Sequence, residues 1–180
     1  MNSIAGEKLY SWYQQAKKTA IANCVDPDEV DWLVQTITEL DSLSLRLGTW
    51  QNQAQIKSNK SLSELTKLWQ QRLQERLPVQ YLVETVFWRR FQLKVTPAVL
   101  IPRPETELII DIALENSLIS GSGQHWVDLG TGSGAIALGL ADVFPEATIH
   151  AVDLSEEALK IAQENANSVN FNHIQFYQGS

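Results

Sequence analysis

A glycine-rich turn between an apolar strand and an apolar helix constrains this 180-residue chain most strongly. The turn reads Asp-Leu-Gly-Thr-Gly-Ser-Gly over residues 128–134, with the apolar stretches HWVDL before it and GAIALGLADVF after it. Glycine has no Cβ, so the turn can bend sharply and its backbone can approach a ligand closely. The start of the following helix offers free N–H groups to a carboxylate or phosphate. The segment therefore predicts a nucleotide-binding turn.

The elements around this turn alternate in type. After the helix come a strand (TIHAVD), a second helix (SEEALKIAQENANSV) and a third strand (HIQFY), and a turn is predicted at 121–123 before the first strand. Such alternation predicts a parallel sheet with crossover helices, as in Rossmann-like domains. Asp153 closes the second strand, where an acid accepts hydrogen bonds from ribose hydroxyls. The alternative is a purely structural role, in which the glycines form a tight turn and Asp153 caps a helix.

The type of nucleotide is less tightly determined. Gly130, Gly132 and Ala135 also fit the dinucleotide pattern G-x-G-x-x-A, which leaves an NAD-binding oxidoreductase as an alternative. Asp128 precedes the first glycine, where an acid can reach the amino group of S-adenosylmethionine, and Ser133 and Gly134 narrow the turn. These two features favour S-adenosylmethionine. The candidate cofactor-binding residues are Asp128, Gly130, Thr131, Gly132, Ser133, Gly134 and Asp153.

Residues 1–77 predict a compact helical bundle without strands. Apolar residues recur at helical spacing, Asp26 and Pro27 predict one helix start, and Ser61 with Glu64 forms a capping box at another. Cys24 is expected to be a small buried side chain. Residues 78–100 predict a β-hairpin linker, because apolar residues alternate with polar ones from Phe91 onward.

Charge and composition limit the possible partners. The net charge of −7 argues against nucleic acid as the main partner, and no apolar run approaches the roughly 20 residues of a membrane span. The N-terminus has no secretory signal pattern and the single cysteine excludes an internal disulfide, so a cytoplasmic location is expected and no metal site. Nine basic residues and three acids lie between Lys57 and Arg103. This stretch is either a solvated helix face or a docking surface for an acidic partner.

Several motifs together resemble the HemK/PrmC family, which methylates a glutamine side chain in peptide-chain release factors. The motifs are PVQY at 78–81, FQLKVTPAVLIPRPETE at 91–107, DLGTGSGAIAL at 128–138 and AVDLSEEAL from Val152 outward. The segment IPRPETE ahead of a methyltransferase glycine turn is the most specific of them. The resemblance extends over essentially the whole chain. One departure is Glu84, where the family pattern has glycine.

The resemblance implies an α/β fold with a helical bundle at 1–77 for substrate recognition, a hairpin linker at 78–100 and a class I methyltransferase domain from residue 101. It implies S-adenosylmethionine as cofactor, release factors as protein substrates, and Arg103 and Glu105 as candidates for the substrate pocket. For these two residues a structural ion pair is the alternative role. A helical module that binds release factors without catalysis is a further alternative.

The family holds the substrate glutamine with an Asn-Pro-Pro-Tyr loop, and this sequence, which ends at Gly179-Ser180, does not contain it. The resemblance thus implies that residues 101–180 form only part of the methyltransferase domain. We therefore assign no catalytic residue and expect the 180-residue chain to be inactive alone and to bind the cofactor weakly at most. Because only part of the domain is present, we also expect an uncovered sheet edge at Trp126–Leu129.

Overall fold

A computed structural model describes residues 2–117 and 123–180, and most of the turn predicted at 121–123 lies outside these ranges. The chain divides into two compact units, one ending at Val83 and one extending from Glu84 to Ser180. The hairpin predicted within 78–100 belongs to the second unit. The three-part division into 1–77, 78–100 and 101–180 stays a prediction. No helix among the described residues has the length and apolar character needed to cross a membrane.

The first unit is built mainly from helices around one apolar core. Its helices are α1 (Gly6–Ala22), α2 (Asp28–Ile37), α3 (Ser42–Leu47), α4 (Leu62–Glu75) and α5 (Val79–Leu82). Leu9, Val30 and Leu65 are buried on three of these helices, as their spacing predicts. Trp50 is fully buried and contacts the rings of Tyr10 and Tyr13 edge-on. The predicted helical bundle is confirmed.

Two short strands in this unit contradict the prediction that residues 1–77 contain none. Strand β1 (Asn2–Ile4) pairs antiparallel with β2 (Ile56–Ser58). Each strand has three residues, too few for an alternating pattern to be recognised in the sequence. Their partners are more than 50 residues apart, and such a pairing depends on the tertiary fold rather than on local preference.

The helix ends of the first unit follow their capping residues. Ser61 and Glu64 form the predicted capping box of α4. Before α2, the Asp26 carboxylate accepts a hydrogen bond from the Asp28 N–H at 2.9 Å. Cys24 is exposed and has a φ of 55°, so the expectation that it is buried was wrong. The physical reason is that α1 ends at Ala22, and the helical spacing that would bury Cys24 no longer applies.

The second unit joins a hairpin to a three-stranded parallel sheet. Its elements are β3 (Thr85–Trp88), β4 (Phe91–Lys94), a 3₁₀ turn (Pro104–Glu107), α6 (Leu108–Asn116), β5 (His125–Leu129), α7 (Ala135–Val143), β6 (Thr148–Asp153), α8 (Glu156–Ser168) and β7 (Gln175–Gln178). Strands β3 and β4 pair antiparallel, and the parallel sheet has the order β5-β6-β7. The predicted α/β class is therefore confirmed, and α6 follows directly on the 3₁₀ turn.

The sheet has one covered and one open face. Ile149 and Ala151 on β6 are fully buried on the face that α7 and α8 cover. Val127 and Leu129 on β5 are 58% and 71% exposed on the other face. Among the described residues, β5 pairs only with β6, which leaves its other edge open. The carboxyl ends of β5 and β6, at Leu129 and Asp153, lie side by side at one end of the sheet. This end carries the glycine turn.

Candidate cofactor site

The glycine turn is fixed to the end of the neighbouring strand. The N–H groups of Gly130 and Thr131 both donate to the carbonyl of Val152, at 2.8 and 2.9 Å. Gly130, Gly132 and Gly134 have φ values of 73°, 55° and 81°, a region where only glycine is free of strain. The turn thus lies where the second parallel strand ends, as the prediction of a ligand-binding turn requires.

Asp153 contacts this turn with one carboxylate oxygen and the start of α8 with the other. One oxygen accepts the Gly132 N–H at 2.9 Å, and the other accepts the Ser155 N–H at 2.9 Å. A carboxylate can accept about four hydrogen bonds. Two backbone bonds therefore leave Asp153 able to accept hydrogen bonds from further donors, such as hydroxyl groups.

Asp128 is a buried carboxylate at the end of β5, with 7% of its surface exposed. One oxygen, Oδ2, accepts both the Thr131 hydroxyl at 2.6 Å and the Ala137 N–H at 3.1 Å. Burial raises the pKa of Asp128, and these two hydrogen bonds oppose the increase. A cationic partner at this place would favour the ionised form of the side chain.

A cavity of about 350 Å³ opens in front of the turn. It is lined by Leu100, Ile101, Pro102, Arg103, Thr106, Asp128, Gly130, Thr131, Gly132, Ser133, Ala135 and Ile136. This volume is in the range of small-molecule sites. Five of the seven predicted cofactor residues border it. Asp153 does not line the cavity but accepts the Gly132 N–H, and Gly134 faces α8, where an added Cβ would lie 3.1 Å from the Cβ of Ala162.

The two substrate-pocket candidates are only loosely paired. Arg103 borders the cavity, whereas Glu105 does not. Their charged groups are 3.8 Å apart, and the side chains are 80% and 67% exposed. An exposed pair of this kind contributes little to stability. The backbone is held more firmly, because the indole N–H of Trp88 donates to the Arg103 carbonyl at 3.1 Å.

Sequence reasoning missed Asn165, which lies behind the turn on α8. Its side chain is 2% exposed and donates to the Ser133 carbonyl at 2.8 Å. A buried asparagine in an apolar helical stripe is unusual because its amide needs partners. From the sequence, this pattern is the signal by which Asn165 could have been identified as a structural residue.

Most of the basic stretch from Lys57 to Arg103 is neutralised within each unit. In the first unit the Arg72 guanidinium binds the Glu29 carboxylate through two hydrogen bonds of 2.5 and 2.7 Å. In the second unit the pairs are Arg89 with Asp111, Arg90 with Asp142 and Lys94 with Glu164. These pairs leave fewer cations available to an acidic partner in each unit, and the docking surface stays a prediction.

Comparisons with known proteins show what this chain is similar to. The family described as a methyltransferase domain matches residues 120–180. The release factor glutamine methyltransferase of Synechocystis sp. is 50% identical over 180 residues, which cover 98% of this chain and 60% of that protein. The protein of the same name from Gloeobacter violaceus is 45% identical, over 86% of this chain and 52% of that protein. The solved ribosomal protein L11 methylase of Lactobacillus delbrueckii subsp. bulgaricus is 25% identical over 43% of this chain and 39% of its own, with a TM-score of 0.38.

The chain spans about half to three fifths of the length of these curated relatives. Their shared name does not favour the NAD-dependent oxidoreductase or the purely non-enzymatic module. Over the length that it shares with them, the chain is similar to the release factor glutamine methyltransferases.

Proposed function

We propose that this chain is the cofactor-binding part of an enzyme that transfers a methyl group from S-adenosylmethionine to a glutamine amide in peptide-chain release factors. The main support is the cavity in front of a glycine turn that is hydrogen-bonded to the neighbouring strand end. The names of its relatives support the substrate class. When bound, S-adenosylmethionine supplies an electrophilic methyl group on a sulfonium centre.

The residues present fit this cofactor. Gly130 and Gly132 present only backbone to the cavity, and a Cβ added at either position would meet no heavy atom closer than 3.9 Å. This open space allows the methionine part of the cofactor to lie against the turn. Asp128 carries the buried negative charge that a cationic amino group stabilises. Asp153 retains acceptor capacity for the ribose hydroxyls.

Arg103 and Glu105 are proposed to lie beside the incoming protein substrate. Their mutual ion pair is long and exposed, so that either group can exchange its partner at little cost. Arg103 borders the cavity and is therefore the stronger candidate. The chain is proposed to bind and orient the reactants, because the amide nitrogen of glutamine is a poor nucleophile that reacts only when it is well positioned.

Calorimetric binding tests the cofactor. The 180-residue chain is titrated with S-adenosylhomocysteine and, separately, with NAD. We expect weak binding of the first, as predicted for the 180-residue chain alone, and no binding of the second. Asp153→Ala should weaken binding about tenfold or more, because it removes the ribose acceptor and frees Gly132. Asp111→Ala, a surface carboxylate outside the cavity, is the control and should bind like the unchanged chain. Preference for NAD, or unchanged affinity of Asp153→Ala, would contradict the cofactor assignment.

Binding to the protein substrate is tested separately. A release factor labelled near its glutamine is titrated with the chain in the presence of S-adenosylhomocysteine, and Arg103→Ala is compared with Lys160→Ala. Lys160 is an exposed cation of the second unit, on α8, and does not line the cavity. Weaker binding by Arg103→Ala than by Lys160→Ala is expected. Equal affinities would remove Arg103 from the proposed substrate pocket.

A further inference from the structure

The side-chain amide of Asn165 joins three backbone groups from two distant segments. Its oxygen accepts the Lys94 N–H at 2.6 Å. Its nitrogen donates to the Lys94 carbonyl at 3.0 Å and to the Ser133 carbonyl at 2.8 Å. Both N–H donors are used and the side chain is 2% exposed, so the position and orientation of the amide are fixed by its partners.

The hairpin register explains why Lys94 needs this partner. In an antiparallel pair, successive residues direct their N–H and C=O groups alternately toward and away from the partner strand. The N–H of Val95 donates to the Glu84 carbonyl, at 3.3 Å, and Lys94 lies opposite Thr85. The backbone groups of Lys94 therefore face the open edge of β4. The amide of Asn165 takes the place that the peptide group of another strand would occupy.

The same helix supports the back of the glycine turn. Ala162 precedes Asn165 by three residues, so both lie on one face of α8. An added Cβ at Gly134 would approach the Cα of Ala162 to 3.3 Å, which shows how closely this face packs on the turn. Ser133 also borders the cavity. One residue thus connects the hairpin edge, through α8, with the wall of the proposed cofactor site.

We infer that Asn165 is a positioning residue that fixes the glycine turn in its binding conformation and couples it to the hairpin edge at Lys94. The part of this inference that concerns the ligand rests on the proposed function. Asn165 does not border the cavity and acts through the Ser133 carbonyl. A ligand that orders the turn would then also protect the hairpin edge at Lys94 from amide exchange, because the same hydrogen bonds connect both.

The test compares Asn165→Leu with Asn167→Leu in the 180-residue chain. Leucine is close in size to asparagine but cannot form hydrogen bonds, and Asn167 is an exposed residue of the same helix. Without ligand, Asn165→Leu should increase amide exchange about tenfold at Lys94 and Gly132 but not at Leu138 in α7. Its affinity for S-adenosylhomocysteine should fall about tenfold, while Asn167→Leu stays within about twofold of the unchanged chain.

A uniform increase in exchange that includes Leu138, or an affinity equal to that of Asn167→Leu, would overturn the inference. If Asn165→Leu does not fold, Asn165→Asp replaces it. Aspartate still accepts the Lys94 N–H but cannot donate to Ser133, so exchange should increase at the turn and stay slow at Lys94; the opposite result would also overturn the inference. If the unchanged chain binds no S-adenosylhomocysteine, the cofactor assignment fails, and the ligand-free exchange still decides the role of Asn165.

Discussion

Alanine substitutions at Gly132 and Gly134 should rank in opposite order for stability and for ligand binding. Both glycines have positive φ, 55° and 81°, where an alanine costs about 1–2 kcal/mol. At Gly132 the added Cβ meets only the Gly130 carbonyl oxygen, at 3.9 Å, and it projects into open space. The expected loss in the free energy of unfolding is therefore limited to the backbone cost of about 1–2 kcal/mol.

Gly134 has the same backbone cost and a steric one in addition. Its added Cβ would lie 3.1 Å from the Cβ and 3.3 Å from the Cα of Ala162. Backbone of α8 would have to move, and overpacking of this kind costs about 1–3 kcal/mol. We therefore expect Gly134→Ala to lose about 2–5 kcal/mol in total.

Ligand binding should show the reverse order because Gly132 borders the cavity and Gly134 does not. A methyl group at residue 132 occupies space that the cofactor needs, whereas one at 134 acts on the side away from it. Urea unfolding measures the stability of both variants, and calorimetry with S-adenosylhomocysteine measures their affinity under conditions where both are folded. If Gly134→Ala lost more stability and also more affinity than Gly132→Ala, the placement of Gly132 on the ligand side of the turn and of Gly134 on the α8 side would be refuted.

Three further substitutions test the second unit. Glu84 has a φ of 54°, and Glu84→Gly should stabilise the chain by about 1 kcal/mol and raise Tm by about 2–4 °C, whereas Glu115→Gly within α6 should lower it in the same thermal scan. Gly139→Ala should lower the free energy of unfolding although alanine gains about 1 kcal/mol in helix propensity, because its Cβ would lie 2.7 Å from Ile110 and 3.2 Å from Trp88. Urea unfolding followed by tryptophan fluorescence measures whether the variant is less stable than the unchanged chain. Asp128→Asn keeps an oxygen for Thr131 and Ala137. Since burial raises the pKa of Asp128, the unchanged chain should lose stability relative to the variant as pH rises through that pKa. A urea midpoint of the unchanged chain that rises relative to the midpoint of the variant with increasing pH would contradict this sign.

The sequence predicted features that depend on local chemistry. The glycine turn, the acid at the end of the next strand and the capping box at Ser61 each involve residues whose backbone requirements are visible over a few positions. The position of Glu84 belongs to this group, since the resemblance marks it as a glycine site and its φ of 54° agrees. The roles of the predicted cofactor residues in binding stay predictions.

Features that depend on distant partners were not predicted. Strand β1 is stabilised by β2, which is more than 50 residues away. The three partners of Asn165 come from two segments that precede it by 71 and 32 residues. Helical spacing predicts that Asn165 is buried but does not indicate which carbonyl its amide meets. Cys24 shows the same limit, because its exposure follows from where α1 ends.

The proposed site lowers the stability of the ligand-free chain. Three glycines hold positive φ in the turn, and each loses more conformational freedom on folding than another residue would. Asp128 keeps a carboxylate where burial raises its pKa, and its two hydrogen bonds with Thr131 and Ala137 only oppose that increase. Departures from the local rules of folding are expected where a ligand later contributes free energy. A ligand with a cationic amino group stabilises Asp128 directly, and the turn and its charge are therefore better explained by binding than by folding.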